Sequence, residues 1–250
     1  MGRAASVLTP RAAAGAAIVV ALVAWYAVYE RLPDVSTGAD VAIVGAALLP
    51  ATFALVWLAL PLRHARGLLL VAGAVGVLAA ALYAADAEIA ANFAKLAAAS
   101  LVAFAFLAYF EQLWWVVTIA LLVPLVDAIS VWRGPTHHIV TEQPRVFSAL
   151  SYAFPAPGGD FFAVGLPDIL FFALFLAAAA RWGLRVAVTW VLMVASFVAT
   201  IALAVWTDPF GIGGLPALPG LSIAFLLANA DLLWRRHRQA GARSGPRAST

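Results

Sequence analysis

Apolar residues come along this chain in runs of about 20, broken by short polar clusters that gather arginine, proline and glycine. The runs lie at 12–29, 41–60, 67–85, 93–110, 113–132, 161–181, 185–206 and 215–234. At about 1.5 Å per residue, helices of this length match the roughly 30 Å hydrocarbon core of a bilayer. The pattern therefore predicts an all-α fold, a polytopic transmembrane bundle of eight spans occupying residues 1–234. A basic, disordered cytoplasmic tail is expected over 235–250. Dividing the fourth span from the fifth requires "YFEQLWW" to turn at Glu111 and Gln112, with Trp114 and Trp115 anchored at the interface. Trp132, Trp182, Trp206 and Trp234 also fall at expected span ends. Arg3 and Arg11 ahead of the first run resemble a secretory signal, but no cleavage site follows, so a retained helix is expected. The long connection, 133–160, carries "GP", "EQP" and "PAPGG" and reads as turns rather than helix.

Composition sharpens this picture. Of 250 residues, 65% are hydrophobic and 11% charged, a balance that excludes an ordinary water-soluble domain. Cysteine is absent, which removes disulfides, thiolate metal sites and a thiol nucleophile. The net charge of +3 does not point to nucleic acid, because the arginines sit at the ends of apolar runs. With the amino terminus in the cytoplasm, the inner loops and tail collect eleven cations. The outer side then holds four: Arg31, Lys95, Arg133 and Arg145. The positive-inside rule thus puts both termini in the cytoplasm. Heavy use of alanine, and of arginine over lysine, suggests a GC-rich prokaryote and hence a prokaryotic cytoplasmic membrane.

Nine of the twelve acids fall in loops or near span ends, and Asp231 stands at i, i+4 spacing from Arg235, where a local ion pair is expected. Asp127 and Asp168 remain. An aspartate within a span costs at least about 2.5 kcal/mol on insertion, so each should face the bundle interior or water and have a role there. Asp127 precedes the outer end of its span by five residues and Asp168 follows the start of the next by seven. These are depths of about 8 and 10 Å. Helices joined by one loop are commonly antiparallel neighbours, so the two carboxyls are placed to meet. Such a pair shares one proton, and the two forms together suit activation of a water and protonation of a carbonyl oxygen. Depth and count alone leave proton relay, transport and helix pairing through hydrogen bonds open beside hydrolysis. No histidine lies in a span, His137 and His138 read as polar loop, and no His-Glu-x-x-His occurs, so no metal site is expected.

Three short motifs add to these acids: "VDAISVW" around Asp127, "GLPD" ending at Asp168, and "LPALPG" from Leu215 to Gly220. In order and helix context the chain resembles the intramembrane aspartyl proteases, the presenilin and signal peptide peptidase family, and above all its prokaryotic presenilin-like members. The resemblance covers residues 121–226. It implies a presenilin-like bundle, Asp127 and Asp168 as the catalytic pair, and substrate contacts from Gly165, Leu166 and Pro167 and from Pro216, Ala217 and Leu218. It implies no cofactor, and transmembrane helices of other proteins as substrates. Three departures stand out: Val126 replaces the family's tyrosine, Pro167 replaces the second glycine of Gly-x-Gly-Asp, and eight spans replace nine. A silent homologue that binds helices without cutting them, or a proton-coupled transporter using the same acids, is the competing expectation.

Overall fold

The computed structural model describes residues 2–133, 143–159, 161–207 and 215–243. His137, His138, Asp160 and the end of the tail lie outside the described residues.

Each expected apolar run contains a helix. α1 covers Gly2–Val28; α2, Thr37–Ile43, passes through a π turn, Val44–Leu48, into α3, Leu49–Ala59. Ser36 starts α2, its Oγ accepting the N–H of Ala39 at 3.4 Å. The π turn sits just ahead of Pro50, which has no N–H to give back to the preceding turn. α4 spans Leu68–Ala84, α5 Glu88–Leu107 and α6 Leu113–Arg133, with the expected turn between the last two at Glu111 and Gln112. After α7, Pro144–Ala149, come α8, Leu166–Arg181, α9, Val186–Thr207, and α10, Leu218–Arg243.

The molecule is organised around α8, against which α3, α5, α6, α9 and α10 all pack. Every residue from Phe172 to Ala179 is buried. A helix apolar on all sides is stable only when enclosed on all sides. Phenylalanines stitch the ring together: Phe53 of α3 lies 4.1 Å from Phe172 and 4.9 Å from Phe197 of α9, ring centre to ring centre. Phe175 stacks on Phe225 of α10 at 4.9 Å. The outer helices instead expose apolar faces, Leu70 and Val77 on α4 and Leu121, Leu125 and Ile129 on α6. Faces of this kind are stable against lipid and not against water. Among the described residues five helices are long and apolar enough to cross a membrane: Pro10–Arg31, Thr37–His64, Glu88–Leu107, Leu113–Ser130 and Val186–Thr207. Leu68–Ala84 is apolar but shorter.

Five expectations are corrected. The connection 133–160, read as turns rather than helix, contains the short helix α7. The run 161–181 is not a single helix: its first five residues form a strand, β2, Phe161–Gly165, antiparallel to β1, Ser151–Pro155. "PAPGG" does turn, with Gly158 and Gly159 at φ of 81° and 101°, and it closes this hairpin. The segment 235–243 is helical, continuing α10, because Arg236 donates to the carbonyl of Trp182 at 2.6 Å and His237 packs edge-on against Trp114. Asp231 pairs not with Arg235 but with both terminal nitrogens of Arg185, at 2.6 and 2.7 Å. The flat guanidinium fork across the helix interface fits a carboxylate better than a neighbour on the same helix face. Lys95, counted among outer loop cations, is buried in α5. Its Nζ donates to the carbonyls of Ser148 and Ser151 at 2.7 and 3.0 Å, over the ring of Tyr83.

That lysine belongs to a set of side chains that hold β1 from behind. Trp25 Nε1 donates to the carbonyl of Pro155 at 2.9 Å. Asn92 accepts from the N–H of Ala153 at 3.1 Å and donates to its carbonyl at 2.8 Å. The hydroxyl of Tyr26 donates to the same carbonyl. Ser151, Ala153 and Pro155 are the alternate residues of β1 whose main chain points away from β2, so helices α1 and α5 occupy that edge with side chains where a third strand would otherwise lie.

Candidate active site

The hairpin matters because β2 runs directly into α8. Gly165, the last strand residue, is also the N-cap of α8, with φ −60° and ψ 142°. Leu166, Pro167 and Asp168 then form the first turn. Pro167 therefore stands where a helix has no use for its N–H, and its fixed φ suits the helix start. The substitution that sets this chain apart from Gly-x-Gly-Asp is locally a good one for a helix start. Leu166 is tied back to the hairpin through its N–H on the carbonyl of Leu150 at 2.9 Å. Asp168 reaches back to the N–H of Gly165, as the third residue of a capping box does. A Cβ on Gly165 would lie 3.1 Å from Asp168 Oδ2, so this glycine leaves room for the carboxyl. Asp168 and Gly165 are half-buried, as is Leu166; Pro167 is exposed.

Asp127 arrives from α6, three residues after Pro124, which lies inside that helix. It is half-buried, while its neighbours Val126 and Ala128 are exposed on the apolar outer face. Val126 is thus turned outwards and 66% exposed. Asp127 Oδ2 accepts the N–H of Leu218 at 3.1 Å. Leu218 opens α10, so its N–H is one of the four that a helix cannot satisfy internally; a carboxylate from another helix caps it. The preceding residues, Leu215 to Ala217, have no regular structure. Ala217 and Leu218 are buried and Pro216 half-buried. α10 starts at Leu218, and Pro219 takes up the first-turn position where its missing N–H costs nothing.

Asp127 is the charged group whose field reaches Asp168. α6 packs along α10, and both touch α8. Of the residues singled out from sequence, Asp127 meets Leu218, with Ala217 next to it, and Asp168 meets Gly165, on helices that pack on one another, while Pro167 is exposed. The two carboxyls thus belong to helices that pack together, each beside the N-terminal end of a helix. Both ends present positive dipole to the space they share.

The sequence reading missed the strand edge beside this pair. Because both main-chain groups of Ala153 are taken by Asn92, its partner Ala163 directs its own N–H and carbonyl away from β1. Apart from the Asp168 carboxyl at Gly165, no main-chain partner covers that edge of β2 among the described residues. The signal was present: "SYAFP" and "FFAVG", rich in aromatic and β-branched residues, flank the "PAPGG" turn as hairpin strands do. Neither a protein-family model nor a curated protein matches this chain.

Proposed function

We propose that this chain is an intramembrane aspartyl endopeptidase of the presenilin type, cutting peptide bonds in or near transmembrane helices of other membrane proteins. The observation that carries the reading is the meeting of three separate motifs at one point. Asp127 from α6 bears on Asp168 at the start of α8 and accepts the N–H of Leu218 at the start of α10. In the reaction one acid, ionised, takes a proton from water as its oxygen bonds to the scissile carbonyl carbon. The other, protonated, gives its proton to the carbonyl oxygen. The tetrahedral diol then collapses, the C–N bond breaks, and the amine nitrogen takes up a proton. No cofactor enters these steps. A substrate helix must be unwound to be cut, and the open edge of β2 offers an extended peptide main-chain partners at the level of Asp168. The reading includes eight crossings, both termini in the cytoplasm of a prokaryote, and the catalytic pair under the outer face.

The test is hydrolysis of a single-span reporter by the full chain in detergent or liposomes. Fragments should form with the unaltered chain and not with Asp127→Ala or Asp168→Ala; fragments persisting in both variants would refute the assignment.

A second reading has one observation in its favour. Each acid also serves as a helix cap, Asp168 on Gly165 and Asp127 on Leu218, which is a sufficient structural role in a silent helix-binding homologue. Asp168→Asn separates the two, because an amide oxygen still accepts the Gly165 N–H but has no proton to trade.

A further inference from the structure

At the opposite end of α8 from the acids lies a cavity of about 410 Å³, lined by Arg11, Trp57, Arg63, His64, Ala180 and Val186. It sits where α1 begins and where α3 gives way to the short turn Leu60–His64. Its charges are all of one kind. Arg11 is the charge that bears on Arg63, and among the described residues neither guanidinium is paired with a carboxylate. Arg63 gives one Nη1 hydrogen to the carbonyl of Leu60 at 3.0 Å. Its Nε is buried and has no hydrogen-bond partner. A buried charged donor left unsatisfied is destabilising, and two cations lining one cavity add repulsion. Folds keep such an arrangement where an anion completes it.

The chemistry of that anion follows from the donors and their position. Two guanidiniums with an imidazole at the rim suit a tetrahedral oxyanion, to which arginine binds in bidentate fashion. The cavity also stands at the end of two long apolar helices. Trp57 lies there 5.6 Å from Trp190, ring centre to ring centre, in the manner of aromatic residues at headgroup level. Leu62, on the same turn, is 49% exposed and apolar, a surface on which an acyl chain can lie. We infer that this cavity is a phosphate site that holds the headgroup of an anionic phospholipid between α1, α3 and the junction of α8 with α9.

The full chain, purified in neutral detergent, is titrated with phosphatidylglycerol, with phosphatidylcholine and with inorganic phosphate, following thermal unfolding and lipid retention by native mass spectrometry. Phosphatidylglycerol should raise the midpoint by several degrees and remain bound, with phosphatidylcholine far weaker. Arg63→Gln should weaken retention about tenfold or more, as loss of one charged hydrogen bond does. Arg66→Gln, a nearby exposed cation that does not line the cavity, should leave retention unchanged. Should Arg63→Gln fail to accumulate, Arg11→Gln carries the same expectation, since Arg11 is exposed and no packing depends on it. Equal stabilisation by phosphatidylcholine, or unchanged retention in the Arg11 variant, overturns the site. The same shift from inorganic phosphate alone overturns the lipid and leaves a soluble phosphate in its place.

Discussion

Asp168 and Asp127 show how far a single residue type can be read from its surroundings. Both stood out because an acid in apolar sequence needs a reason, and counting residues to the span ends put them at one depth; the structure adds that Asp127 caps α10, that Asp168 lies against Gly165 at the start of α8, and that their helices pack together. For the proposed activity, Asp168→Asn should cut turnover of a single-span reporter at least about a thousandfold while the unfolding midpoint moves little. A large fall in midpoint with cleavage intact would point to the capping role alone. Pro167→Gly should leave cleavage within about tenfold, since proline at this first-turn position is compatible with the helix it starts. Lys95 was not legible. A residue number cannot reveal that two carbonyls, those of Ser148 and Ser151, wait more than fifty positions on to take up its charge. Lys95→Met keeps the volume but leaves both carbonyls unpaired, and should lower stability by about 1–3 kcal/mol in a denaturant titration. The Asp231 partner was misread for the same reason, since helical spacing identifies a neighbour on the same face and says nothing of Arg185 across the interface.

Among elements, helices were the legible part. Hydrophobic run length located the eight long ones, because crossing or lining a bilayer leaves helix as the one way to satisfy the main chain, but it missed the short α7 and placed the start of α1 and the end of α10 about nine or ten residues short. The hairpin was not, as its strands are five residues each and merge into the apolar run of α8. What makes it stable is remote: Trp25, Asn92 and Lys95 supply the hydrogen bonds of a missing third strand. Its placement of Gly165 also makes the glycine testable. Gly165→Ala crowds the Asp168 carboxyl and should lower cleavage more than it lowers stability. Close helix approach works likewise at Gly220 of α10, where a Cβ would come within 2.3 Å of Ser196 Oγ on α9. Gly220→Val should cost about 1–3 kcal/mol of stability. It should also reduce cleavage, because Leu218, two residues earlier, holds Asp127.

For the whole molecule, arginine bias gives a sidedness that the packing itself does not decide. The natural absence of cysteine makes this simple to measure, since any single introduced thiol is the only one to label. Ala65 and Gln143 are both exposed and lie at opposite ends of the bundle in the proposed topology. In intact cells an impermeant thiol reagent should modify Gln143→Cys and spare Ala65→Cys, and the reverse pattern would invert the orientation.

The enclosure of α8 has one more consequence. Eight consecutive residues, Phe172 to Ala179, are sealed in by neighbouring helices, and they stand between the acids and the arginine-rich end. All eight are apolar, so α8 itself offers no side chain that could relay a proton from the carboxyls to that end. Under the proposed function, hydrolysis inside the membrane would then open no proton path along α8 and would leave the gradient across the membrane intact along that route.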